Sequence, residues 1–184
     1  MMSQSLNMLQ CESLLEPDQT YSLSITAKKY WLPEFEAHWD DDNAVTLIVL
    51  HSTSFHKETW QPSLERIFQR ASSHSRVSAT TLKIKCAWAV DCPNHGVSAA
   101  LNEEALQQPP FHQTCESINL KLFLHDQFDL RLGAVGCRKY AEAVHRFMSA
   151  GQKLTPTPFD FRNQRLVGIG HSLGGVAMLA SYSS

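Results

Sequence analysis

At 184 residues the chain is long enough for one domain with a sizeable core. It is 43% hydrophobic and 18% charged with a formal net charge of -2, a balance that fits a globular protein and argues against a nucleic-acid or anionic-membrane surface. No lysine/arginine cluster and no apolar run of membrane-spanning length occurs, so neither nucleic-acid binding nor a membrane span is expected.

Met1-Met2-Ser3-Gln4-Ser5 lacks the basic start and apolar core of a signal peptide. The five cysteines, Cys11, Cys86, Cys92, Cys115 and Cys137, are odd in number and scattered, which reads as reduced intracellular thiols. Residues 1–18 are weakly patterned and read as a weakly ordered, peripheral segment, with the domain running from 19 to 184. Tyr21 to Ala27 alternates polar and apolar residues and predicts a first strand on the outside of a sheet. Lys28 to Trp39 is rich in aromatics and reads as a hairpin continuation or a surface segment, and Asp40-Asp41-Asp42-Asn43 as a turn. Ala44 to Leu50 is a continuous β-branched apolar run, the pattern of a strand buried on both faces.

His51 to Pro62 follows as a loop, then a helix over Ser63 to Ala71 with Leu64, Ile67 and Phe68 on one face. Leu82 to Val90 predicts the next strand, ending in the turn-rich Asp91 to Ser98. Residues 99–130 read as irregular, broken at Pro109-Pro110 and anchored by Phe123, Leu124, Phe128 and Leu130. Ala134 to Ala150 predicts a helix with Val135, Ala141, Val144, Phe147 and Met148 on its apolar face, closed by Gly151, and Lys153 to Pro158 a stiff connector. No internal repeat is present. Strands of the buried type alternating with helices argue for an α/β fold with a largely parallel sheet, whose sites form at the carboxyl ends of the strands. Three loops leave those ends, at His51, Asp91 and Gly170.

The last of these carries the chemistry. Leu166-Val167-Gly168-Ile169-Gly170-His171-Ser172-Leu173-Gly174-Gly175 is a short apolar run, a glycine, a serine two residues on, another glycine, then a helix-forming run. Strand, turn and helix with Gly170-x-Ser172-x-Gly174 at the turn is the nucleophile-elbow pattern. The serine sits on a strained backbone, and side chains two positions either side would collide. A dinucleotide fingerprint would need glycine at Leu173, and a phosphate loop would need lysine at Val176. A glycine-rich turn without chemistry is the plain alternative. The helix beginning at Leu173 turns its N-terminal amides toward the serine, ready for a developing oxyanion.

His51-Ser52-Thr53 stands where this kind of site places its second oxyanion donor, with Ser52 at a position usually held by glycine. The amides of Thr53 and Leu173 are the candidate oxyanion hole, and an ordinary loop with Thr53 as a helix cap is the alternative. Asp91 reads as an anchor of its own turn rather than a catalytic acid, and His95 as a loop-packing residue. Cys86, Cys92 and His95 match no closed zinc pattern, so no metal and no cofactor are expected. His171 reads as packing at the sheet's edge, and His56 as structural or pocket-lining. His125-Asp126 has no positional claim to be a base.

Three stretches together resemble fungal α/β-hydrolases of the host-selective toxin biosynthesis type. They are Ser54-Phe55-His56-Lys57-Glu58-Thr59-Trp60-Gln61-Pro62, Asp91-Cys92-Pro93-Asn94-His95-Gly96-Val97-Ser98-Ala99-Ala100-Leu101-Asn102-Glu103, and Gly168 to Gly175. The resemblance runs from about Ala27 to the end of the chain. It implies secondary metabolism, an acyl ester or thioester substrate and association with peroxisomes, although Tyr182-Ser183-Ser184 is not a peroxisomal signal.

In that fold the triad order is serine, then acid, then histidine, and no acid or histidine follows Ser172 before the chain stops at Ser184. The expectation is therefore an α/β-hydrolase-type, mostly parallel sheet with flanking helices, incomplete on its C-terminal side, from a chain truncated after the elbow. Its elbow strand would form an exposed edge, inviting self-association. Ser172 is expected as the nucleophile. The rival is a catalytically impaired homologue acting as an interaction fragment, and a nicotinamide-binding domain is a more distant third.

Overall fold

The computed structural model describes residues 6–75, 82–108 and 136–181. Five strands form one sheet: β1 (Leu9–Leu15), β2 (Ile25–Trp31), β3 (Val45–Leu50), β4 (Ile84–Val90) and β5 (Arg165–Gly170), in the spatial order β1-β2-β4-β3-β5. The half formed by β4, β3 and β5 is parallel, and β1 and β2 add to it antiparallel. Every residue of β3 is buried, as its continuous apolar run predicts, and so is every residue of β4, Lys85 included.

The parallel half requires crossovers, which helices supply. α1 (Gln61–Ser75) covers one face, where Leu64 and Phe68 pack with Val45, Leu47, Val49 and Phe35 of the 3-10 turn Pro33–His38. α4 (Cys137–Ser149) and α5 (Leu173–Ser181) cover the other. There Trp88 stands edge-on to Phe147, Phe159 and Phe161, with ring centroids 5.5–5.6 Å apart. Lys29, 6% exposed, lays its ammonium on this aromatic wall. Its Nζ lies 5.0–5.8 Å from the ring centroids of Trp31, Trp39, Trp88 and Phe159, the range of cation–π attraction.

Several expectations need correction. The segment 1–18, read as weakly ordered, contributes the outer strand β1. Its Leu9-Gln10-Cys11-Glu12-Ser13 alternates with only partial burial because, among the described residues, the outer edge of β1 carries no strand, only the Leu14–Thr155 bridge. The strand expected over Tyr21 to Ala27 lies four residues later and sits inside the sheet. Lys28 and Lys29 belong to it because an ion pair with Glu12 (3.1 Å) and the aromatic wall accommodate them.

Residues 96–106, expected to be mostly irregular, form two short helices, α2 (Gly96–Leu101) and α3 (Glu103–Leu106). The helix expected from Ala134 is described from Cys137; Ala134 and Val135 lie outside the described residues. So do Cys115, Pro109-Pro110, the anchors Phe123 to Leu130, the pair His125-Asp126 and Tyr182 to Ser184. Gly151 does not act as a left-handed cap. It gives room for Phe159, whose carbonyl oxygen a β-carbon at 151 would overlap.

Candidate active site

β5 runs into α5 through His171 and Ser172. Ser172 has φ 52°, in the left-handed region, and its neighbours permit nothing larger than hydrogen. A β-carbon on Gly170 would run into the Gly174 carbonyl, and one on Gly174 into the Leu50 carbonyl at the end of β3. The Gly-x-Ser-x-Gly spacing is thus satisfied for the physical reason the sequence suggests. A strained serine is held exposed at the carboxyl edge of the sheet by two close backbone approaches. The His171 N–H donates to Leu50 O (3.1 Å), which ties the elbow to β3.

α5 starts at Leu173. The amides of Gly174 and Gly175 are used locally, donating to His171 O (3.0 Å) and Ser172 O (2.9 Å). Neither the Leu173 nor the Thr53 amide makes a hydrogen bond among the described residues. Thr53 lies in the loop leaving β3. The peptide between Ser52 and Thr53 is pinned at its oxygen, where Ser52 O accepts from His51 Nδ1 (2.8 Å) and from the Phe55 amide (3.2 Å). A trans peptide sends its N–H the opposite way. The Thr53 donor is therefore turned away from that anchor and is unspent.

His51 is buried with both ring nitrogens engaged. Nδ1–H donates to Ser52 O, and Nε2 accepts the Cys92 amide (3.0 Å). That pattern fixes the neutral tautomer. Burial lowers its pKa, opposed by the Ser52 hydrogen bond and the Asp91 charge. Tyr140 of α4 reaches the same corner, accepting the His51 amide (3.3 Å) and donating to Val90 O (2.7 Å), so one hydroxyl joins the ends of β3 and β4.

Asp91 does more than anchor its own turn, which corrects the sequence reading. It is fully buried, and its oxygens accept from the Lys57 amide (2.8 Å), Lys57 Nζ (2.9 Å) and Thr26 Oγ1 (3.0 Å). Lys57 is also fully buried, with Glu58 at 3.1 Å and Glu12 at 3.6 Å. Burial alone would lower the Lys57 pKa, but the Asp91 hydrogen bond and the three surrounding carboxylates outweigh it and raise the pKa, so the ammonium stays charged. Gly96 (φ 56°) is required beside this pair, because a β-carbon there would sit 2.5 Å from Asp91 Oδ2.

The other polar residues of the Asp91 to Glu103 stretch have comparable duties. Ser98 Oγ accepts the Thr26 amide (2.9 Å). Asn102 brackets Ser24, accepting its N–H (2.7 Å) and donating to its carbonyl (2.9 Å). These cross-links join segments 34 to 78 residues apart, and no local pattern announces them.

His95 accepts the Ser54 amide at Nε2 (3.0 Å) and bonds Asn94 Oδ1 through Nδ1 (2.7 Å). His56 is exposed and pairs with Glu58 (2.7 Å). His171 lines a cavity of about 240 Å³ with His51, Ser52, Phe55, Thr59, Trp60 and Ser63, rather than packing at the sheet's edge. Cys92 Sγ bonds Asn94 Oδ1 (3.1 Å), and no group of three His, Cys, Asp or Glu arranged to hold a metal occurs among the described residues. No described helix is long and apolar enough to cross a membrane.

The structure therefore brings the three strand-end loops together: the elbow on β3, the β3 loop on the β4 loop, and a cavity between the β3 loop and His171 of the elbow. No family model and no curated protein matches the chain. Among solved structures, it is similar to the peroxisomal alpha-beta-hydrolase Lpx1 of Saccharomyces cerevisiae, with a TM-score of 0.51 and 19% identity. The match covers 97% of this chain and 42% of that one, so this chain spans less than half of its neighbour's length. The likeness bears on architecture, and it agrees with the sheet order and the flanking helices: the chain has an α/β-hydrolase-type fold.

Proposed function

We propose that this chain carries the nucleophile half of a serine hydrolase site, with Ser172 attacking the carbonyl of a small acyl ester or thioester. The Thr53 and Leu173 amides would bind the oxyanion. The observation that supports this best is Ser172 itself, exposed at φ 52° between two glycines that have no room for a side chain, with the unspent Leu173 amide next to it in the chain. Preorganised backbone donors at a developing oxyanion are worth about 3–4 kcal/mol each in such sites. The cavity beside the elbow, walled by Phe55 and Trp60 with hydroxyls from Thr59 and Ser63, would take the acyl group.

Attack by a neutral serine needs a base to take its proton. His51 and His95 have both nitrogens committed, and residues 173–184 contain no Asp, Glu or His. The 184-residue polypeptide is therefore expected to acylate slowly and turn over only in trace amounts, since losing the base of a serine triad lowers kcat by about 10⁴–10⁶. The test is intact-mass measurement with p-nitrophenyl acetate. A slow adduct on Ser172, absent from Ser172→Ala, supports the reading. Equal modification of both proteins overturns it, and robust turnover abolished by Ser172→Ala would reveal a base among the upstream residues.

The resemblance to toxin-biosynthesis hydrolases supports a role in fungal secondary metabolism. Together with the likeness to a peroxisomal yeast hydrolase, it supports a peroxisomal setting. The rival reading, an impaired homologue that acts through association, is favoured by one feature. Among the described residues, β5 is paired with β3 on one side only.

A further inference from the structure

The loop that carries Thr53 holds a second strained residue. Ser54 has φ 65°, a conformation that costs a serine about 1–2 kcal/mol, and such strain persists only where the surroundings over-determine it. Here the restraint comes from another segment altogether. The Ser54 N–H donates to Nε2 of His95, 41 positions along the chain at the start of α2. His95 is held in turn. Its Nδ1–H donates to Asn94 Oδ1, and its ring lies 5.2 Å from that of His51, which grips the preceding peptide through Ser52 O. The two peptide planes that flank Thr53 are thus fixed by two different imidazoles.

We propose that His95 is a positioning residue for oxyanion binding: by holding the Ser54 amide it fixes the peptide plane after Thr53 and keeps the Thr53 N–H aimed toward Ser172. This rests on the nucleophile reading above. The role requires neutral imidazole, because only an unprotonated Nε2 accepts an amide proton. Around the ring stand the Asp91 carboxylate, neutralised by Lys57, and the neutral His51. Burial lowers the His95 pKa and Asp91 opposes that shift, so the acceptor is intact at neutral pH. Protonation in acid sets donor against donor and releases Ser54.

The experiment uses the full chain with His95→Ala and His95→Gln, whose Oε1 can replace the lost acceptor. Hydrogen exchange of the Ser54 amide and the ¹⁵N shifts of His95 report the clamp directly, and circular dichroism checks folding. Acylation of Ser172 by p-nitrophenyl acetate, corrected by the Ser172→Ala background, reports the oxyanion donor. Ser54 protection is expected to fall in His95→Ala, recover in His95→Gln, and fall in wild type on acidification but not in His95→Gln. Acylation of Ser172 in His95→Ala is expected to slow roughly tenfold or more, the scale of a donor misplaced by a fraction of an ångström to an ångström.

Unchanged Ser54 protection in folded His95→Ala overturns the inference. So does lost protection with unchanged acylation of Ser172. If wild-type acylation does not exceed the Ser172→Ala background, the nucleophile reading fails. The clamp is then still judged by exchange, and its place in oxyanion binding is overturned with that reading.

Discussion

Gly174 and Ser172 occupy one turn but answer substitution in opposite directions. A methyl group on Gly174 meets the end of β3, so Gly174→Ala is expected to destabilise by about 1–3 kcal/mol in urea unfolding, as overpacking against a rigid backbone does. Ser172→Gly relieves a left-handed conformation worth about 1 kcal/mol, so it is expected to unfold no more easily than wild type while losing the ester adduct. A destabilised Ser172→Gly would mean that the hydroxyl, not the backbone, holds the turn.

The same scale governs pH. His51 and His95 are both lowered, chiefly by burial, so the unfolded chain binds protons in a range where the folded chain does not. Their contribution to stability is full above the ordinary histidine value near 6.5 and falls as the pH drops below it through the folded values. Thermal unfolding between pH 8 and 5 is expected to show this decline, reduced in His95→Gln. At this scale the strained turn at Ser172 was legible because its geometry is written into a five-residue spacing. Lys57 and Asp91 were legible only as members of two stretches, since the reason they occur together is a contact across 34 positions.

Between elements, the Lys57–Asp91 pair joins the β3 loop to the end of β4. Removing one partner strands a buried charge, and Asp91→Asn is expected to cost about 3–5 kcal/mol. The double variant Lys57→Met/Asp91→Leu removes both charges and is expected to recover much of that loss, as judged by chemical denaturation. Failure to recover would show that Thr26 and the carboxylates of Glu12 and Glu58 depend on the pair. β3 could be read from sequence because its run is apolar apart from Thr46, and β4 because Cys86 to Val90 is an unbroken apolar stretch that outweighs the lysines before it. β1 could not, because a half-covered edge strand looks like a surface segment. β2 was misplaced because a buried lysine, Lys29, is explained only by rings contributed from elsewhere in the chain.

At the scale of the molecule, β5 is the last strand of the parallel half among the described residues. Val167 is 39% exposed on that strand and Val176 is 45% exposed on the adjoining helix. An apolar strand edge of this kind pairs readily with another. We propose that a second copy of the chain is its partner in solution. Sedimentation is expected to show a dimer or larger species, weakened by Val167→Lys. A concentration-independent monomer with a sharp thermal transition would refute it.

The aromatic wall around Lys29 has an optical consequence. Of the four tryptophans in the chain, Trp31, Trp39 and Trp88 surround one ammonium, while Trp60 lines the cavity beside the elbow. Intrinsic fluorescence therefore divides into two reporters. A compound entering the cavity is expected to change only the Trp60 share of the emission, a response that Trp60→Phe silences. Lys29→Met would alter the remaining three and leave the ligand signal in place.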